Sequence, residues 1–124
     1  MTKKMMMTVG IALFIAGFST GLAAVKLRWV VDGPHVKVVL DNQRVTISEI
    51  KMDAGSRRES YTRPTDQIIV FLDDADYEAT DESGQKQVKH RRSGEIVWHQ
   101  KGEAAPLLQN TGKRPYRNLV IALK

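Results

Sequence analysis

From residue 36 to the C-terminus, short apolar runs alternate with polar turns, and the spacing predicts eight β-strands. They fall at Val36–Leu40, Val45–Met52, Gln67–Leu72, Ala75–Thr80, Lys86–His90, Glu95–His99, Pro106–Gln109 and Asn118–Leu123. In Val45–Met52 the apolar residues recur at every second position up to Ser48-Glu49, where the pattern changes face. That break is the expected place for a bulge. Gln67–Leu72 is apolar at nearly every position, as in a strand covered on both faces. The connections are turn chemistry: Asp41-Asn42, Asp53-Ala54-Gly55, Asp73-Asp74, Ser83-Gly84, Ser93-Gly94, Lys101-Gly102 and Asn110-Thr111-Gly112. No helical periodicity extends over ten residues of this region. An all-β, antiparallel sandwich or barrel is therefore expected.

The start of the chain follows other rules. Lys3 and Lys4 precede 21 uncharged residues, Met5 to Val25, and Gly21-Leu22-Ala23 places small residues where a signal peptidase cuts. We read residues 1–23 as a signal peptide, 24–35 as a lead-in segment and 36–124 as the barrel. The rival reading is an uncleaved anchor, since 21 uncharged residues just suffice to span a bilayer. Cleavage would leave no stable membrane span and would place the protein in the periplasm or outside the cell. The mature charge is then only +3, and no basic run exceeds His90-Arg91-Arg92, which argues against nucleic acid as a partner. Without cysteine, an exported domain of 101 residues must stand on packing alone, which suits a bacterial envelope.

The order of the pieces is more specific than any one of them. Val38-Val39-Leu40-Asp41-Asn42-Gln43-Arg44-Val45, then Asp53-Ala54-Gly55, then an x-Pro loop before the strand ending at Asp73-Asp74, resembles the first half of small single-domain cupins. Ser93-Gly94-Glu95-Ile96-Val97-Trp98, Gly102-Glu103, Asn110-Thr111-Gly112 and the closing Leu119–Leu123 resemble the second half. The resemblance implies a jelly-roll barrel with a cavity at its mouth. It also implies a metal held by two histidines and an acidic or amide residue of a first motif, and one histidine of a second. Here the first-motif histidines fall on Tyr61 and Arg63, the acidic or amide position on Gln67, and the second-motif histidine on Pro106, or on Ala105 or Ala104 with a shifted loop. Arg63 cannot deprotonate and cannot ligate a cation. We therefore expect no metal and no cofactor.

The site residues expected for ligand binding are Tyr61, Arg63 and Gln67, with Arg63 facing a carboxylate or phosphate. The expected ligand is small and polar or anionic, with a protein partner as the other option. No catalytic residue is assigned. The alternative is a metal-independent isomerase or epimerase with Tyr61 as general acid, which needs a base facing the same cavity. Other features have blander readings. His90 and His99 are expected on a shared hairpin but far apart, and His35, His90 and His99 are expected exposed or half-exposed. Asp73-Asp74 reads as a hairpin turn, and Arg57-Arg58 and His90-Arg91-Arg92 as solvated turn charges. Trp98 is expected in the core or on a dimer face, and Trp29-Val30-Val31 suggests a homodimer through a swapped edge strand.

Overall fold

The structure, a computed structural model, describes residues 33–124; the signal-peptide reading and most of the lead-in lie outside those residues. The described residues form eleven strands: β1 (His35–Asp41), β2 (Val45–Met52), β3 (Arg57–Arg58), β4 (Tyr61–Thr62), β5 (Gln67–Phe71), β6 (Ala75–Thr80), β7 (Lys86–Arg91), β8 (Ile96–His99), β9 (Ala104–Ala105), β10 (Leu107–Asn110) and β11 (Tyr116–Leu123). One sheet has the order β1-β2-β11-β5-β8 and a second β3-β10-β6-β7, while β4 and β9 form a small third sheet. Every pairing is antiparallel. There is no helix among the described residues.

The chain repeatedly leaves one large sheet for the other. Links β2–β3, β5–β6, β7–β8 and β10–β11 all cross, which winds the two sheets into the jelly-roll architecture expected above. Two sequence expectations change with this topology. Asp73-Asp74 is a corner between sheets and not a hairpin: Asp73 accepts hydrogen bonds from Arg117 of β11, and Asp74 accepts one from the Ser93 backbone N–H. Likewise, β7 pairs with β6 and β8 with β5, so His90 and His99 share no hairpin. Turn composition alone does not distinguish a hairpin from a crossing corner.

Register decides which side chains meet. Cross-strand partners face the same side of a sheet. Ser48, Val120, Ile69 and Val97 thus form one row on the five-stranded sheet, and Ile50, Asn118 and Phe71 the next. These rows face the core. It is built around Met52, Ile69, Phe71, Ala75, Tyr77 and Tyr116, with Val97, Leu108 and Val120 packed against them. Three rings join the sheets: Phe71 stacks on Tyr77 at 6.3 Å and Tyr77 meets Tyr116 at 5.9 Å. Each such side chain contributes roughly 1.5–3 kcal/mol by leaving water.

The alternate rows face outward and are also apolar. Ile47, Ile121, Ile68 and Trp98 lie side by side, as do Leu119, Val70 and Ile96. Two apolar faces explain the broken alternation in β2, where Ile47 points out and Ile50 in. The bulge falls instead in β1, where Val38 opposes Ser48 and Leu40 opposes Ile47, leaving Val39 extra. Trp98 is 54% exposed and Ile96 67%, so Trp98 is not a core residue.

Candidate functional site

The short strand β4 leads directly into Arg63, and backbone bonds fix both. Tyr61 and Thr62 pair with Ala105 and Ala104. The Arg63 N–H donates to the Glu103 carbonyl at 2.9 Å, and the Arg63 carbonyl accepts from Gly102 N–H at 2.9 Å. Gly102 sits at φ 88°, which a residue with a Cβ adopts only under strain, and this tight turn brings the loop after β8 against Arg63. Pro64 then carries the chain from β4 toward β5, whose first residue is Gln67. A two-residue strand with a charged neighbour gives almost no periodic signal, which is why β3, β4 and β9 are absent from the strands expected on the sequence.

Tyr61, Arg63 and Gln67 come together. Arg63 is only 5% exposed. Its Nη1 donates to Gln67 Oε1 at 2.9 Å and to the Tyr61 hydroxyl at 3.4 Å, and the Tyr61 hydroxyl lies 3.5 Å from Gln67 Oε1. Its Nε is buried without a hydrogen-bond partner among the described residues, 4.0 Å from Glu103 Oε1. A buried guanidinium satisfied on one edge only is costly to hold.

Tyr61 and Arg63 edge a cavity of about 380 Å³ between the two large sheets. Its apolar lining includes Ile69, Phe71, Val97, Leu108 and Val120, and its polar lining includes Arg58, Arg63, Lys89, Arg91 and His99. Among the described residues no Asp or Glu lines it. The buried Oδ1 of Asn118, which also lines it, has no hydrogen-bond partner among the described residues.

Of these polar residues, Arg58, Lys89, Arg91, His99 and Asn118 were not chosen on the sequence. Arg58 is not a solvated turn charge. It lies on β3 opposite Leu108, which itself opposes Ala79, so the register turns Arg58 inward. Its guanidinium donates to the Pro106 and Glu59 carbonyls and lies 5.1 Å from the Tyr61 ring centroid, with Arg63 5.7 Å from the same ring. Burial, and more weakly the neighbouring Arg63 charge, lowers the Arg58 pKa. Arg91 likewise turns inward, donating to the Tyr77 hydroxyl at 3.2 Å and to Glu95 at 2.6 Å. Lys89 opposes the buried Tyr77. The misleading signal was Val88: β7 carries its apolar residue outward, 62% exposed, and turns Lys89 and Arg91 inward. The usable signal was the parity of Ala75, Tyr77 and Ala79 on β6, whose partners across the ladder are Arg91, Lys89 and Gln87.

The histidines pair with carboxylates: His35 with Asp53, His90 with Asp76 and His99 with Glu103. His99 is half-buried in the cavity wall beside Gln67. Burial, then the Arg63 charge, lowers its pKa from the ordinary 6.5, which favours the neutral ring. Among the described residues no group of three or more His, Asp or Glu side chains could hold a metal ion. The first-motif ligand positions are occupied by a phenol, a guanidinium and an amide, and Pro106 lines the cavity at the second-motif position. With Arg58 beside them, this set repels a cation, and the metal implied by the resemblance does not fit it.

Solved structures with this strand arrangement include a cupin domain from Bordetella pertussis, with a TM-score of 0.68 at 17% identity over 74% of this chain and 94% of that one. A double-stranded β-helix protein from Klebsiella pneumoniae has a TM-score of 0.57 at 22% identity, over 73% and 76% of the two chains. A polyketide cyclase from Streptomyces resistomycificus has a TM-score of 0.58 at 16% identity, over 76% and 70%. No family model and no curated protein matches the chain. At such identities the likeness carries the fold alone. The chain is a small cupin-fold protein, as the order of its motifs suggested.

Proposed function

We propose that this cupin-fold domain binds a small organic anion in its barrel cavity without transforming it, and that it works in the bacterial envelope after loss of residues 1–23. The observation that carries the reading is Arg63. It is a buried guanidinium edging a mostly apolar cavity, and among the described residues no carboxylate lines that cavity and its Nε lacks a partner. A carboxylate or phosphate supplies the missing acceptor and offsets the charge. Tyr61 and Gln67 hold Arg63 in place, and Tyr61 adds a hydroxyl to the same wall. The envelope location rests on the N-terminal sequence pattern.

Calorimetric titration with a panel of organic acids and sugar phosphates tests the reading. The native protein should bind at least one class, and Arg63→Met should lose that binding while remaining folded. Failure of the whole panel to bind the native protein would remove the reading.

A second reading, metal-independent isomerisation, is favoured by one observation: His99, a neutral base paired with Glu103, lines the same cavity as Tyr61. Turnover of a bound acid, abolished by both Tyr61→Phe and His99→Gln, would favour it over simple binding. The outer face of the five-stranded sheet supports a homodimer, with Ile96 and Trp98 covered by a second copy. The swapped-strand form of that dimer concerns residues outside those described.

A further inference from the structure

We infer that the ligand carries two anionic groups joined by an apolar spacer, one held near Arg58 and Arg63 and the other by Lys89. This deepens the organic-anion reading and rests on it. The cavity's cations are unequally neutralised. Arg91 has Glu95 at 2.6 Å, and Arg63 has Glu103 4.0 Å from its Nε. Among the described residues neither Arg58 nor Lys89 has a carboxylate within ion-pair distance, though both line the cavity. Arg58 uses its donors on two carbonyl groups, which satisfy hydrogen bonds but leave the positive charge. Both are partly buried, and two anionic groups, or one doubly charged group, would offset their charge.

Position decides between these. Arg58 is on β3 and Lys89 on β7, the two edges of the four-stranded sheet. Three strand spacings separate them, about 14 Å between backbones. The register adds an offset along the strands, since Arg58 shares a row with Leu108 and Ala79 whereas Lys89 shares one with Tyr77 and Asn110. The side chains between the two cations are therefore Leu108, Ala79 and Tyr77, facing Ile69, Val97 and Val120 across the cavity. A compact doubly charged head placed at one cation leaves the other bare and the apolar middle empty. An α,ω-dicarboxylate satisfies both ends and fills the middle.

Titration of the native protein with dicarboxylates from succinate to azelate, each against the monocarboxylate of equal length, reads this directly. The expected result is a dicarboxylate preference of tenfold or more at intermediate length, such as pimelate over heptanoate, with succinate weak. Lys89→Met should reduce pimelate to about the affinity of heptanoate, with heptanoate changed far less. Lys86→Met removes a like charge from the outward parity of the same strand and should change neither. Circular dichroism of each variant separates lost binding from lost fold, and Lys89→Gln serves if the methionine variant does not fold. Equal affinity for the two acids of a pair at every length, or a pimelate preference untouched at position 89, would overturn the inference while leaving the organic-anion reading standing. If no acid of either kind binds the native protein, the organic-anion reading itself fails.

Discussion

The inner faces of the two large sheets enclose one cavity and differ in almost every property. The five-stranded sheet offers Ile69, Phe71, Val97 and Val120, interrupted by the neutral Asn118 and by His99, whose pKa is lowered. The four-stranded sheet offers Arg58, Lys89 and Arg91 around Leu108, Ala79 and Tyr77. A core made for stability alone would not keep three cations on one wall, because each resists leaving water. The difference fits the proposed anionic guest, with one wall to cover its apolar body and the other to hold its charge.

Removing the ring that joins the walls should have the largest effect. Phe71 stacks on Tyr77, contacts Tyr116 and lies 5.9 Å under the Arg91 guanidinium. Phe71→Ala is expected to cost about 3–5 kcal/mol, read from urea denaturation. On the reverse side of the five-stranded sheet, Trp98→Ser should leave the fold intact and weaken self-association by about 2 kcal/mol, as at other buried aromatic anchors. Sedimentation at several concentrations checks it, and a native protein monomeric throughout would remove the dimer proposal.

The walls can also be compared one cation at a time. Arg58→Met should lower anion affinity about tenfold, or ~1.4 kcal/mol. Arg91→Met should lower it less, since Glu95 already offsets that charge. Equal losses would mean that the carboxylate partners do not grade the wall. The smallest effect is on pH. His99 has a folded pKa below its unfolded value of 6.5, because burial and Arg63 disfavour its charged form. The unfolded chain therefore takes up the proton first, and the native state should lose stability as pH falls below about 6.5. His99→Gln should flatten that slope between pH 7 and 5, measured by thermal melts. A slope unchanged in the variant would assign it to other groups.

Much of the fold was legible because the long strands carry their pattern openly. Gln67–Phe71 and Tyr116–Leu123 are apolar on both faces and lie in the interior of their sheet. The turns at Gly55, Gly94 and Gly102 fall where the residue types placed them, each at positive φ. What was hidden depended on pairing. Nothing local says that β5 and β6 part company at Asp73-Asp74, and nothing in Lys86–Arg91 says that Lys89 and Arg91 turn in while Val88 turns out. The candidate site divides in the same way. Tyr61, Arg63 and Gln67 were reached through motif order, and they meet in space. Arg58, Lys89, Arg91 and His99 required the register, because their inward parity is set by Leu108, Tyr77, Ala75 and Gln67 on the neighbouring strands.

The central claim, that Arg63 and Arg58 hold an organic anion inside the barrel, is tested most directly by observing the guanidinium groups themselves. Nitrogen-15 spectra of the arginine Nε–Hε groups, recorded while heptanoate or pimelate is added, resolve each side chain. The account expects saturable shifts of the Arg58 and Arg63 signals, with the Arg63 Nε–Hε gaining protection from solvent exchange as its vacant donor is engaged. Saturation confined to exposed arginines such as Arg57 and Arg117, with Arg58 and Arg63 unmoved, would contradict it.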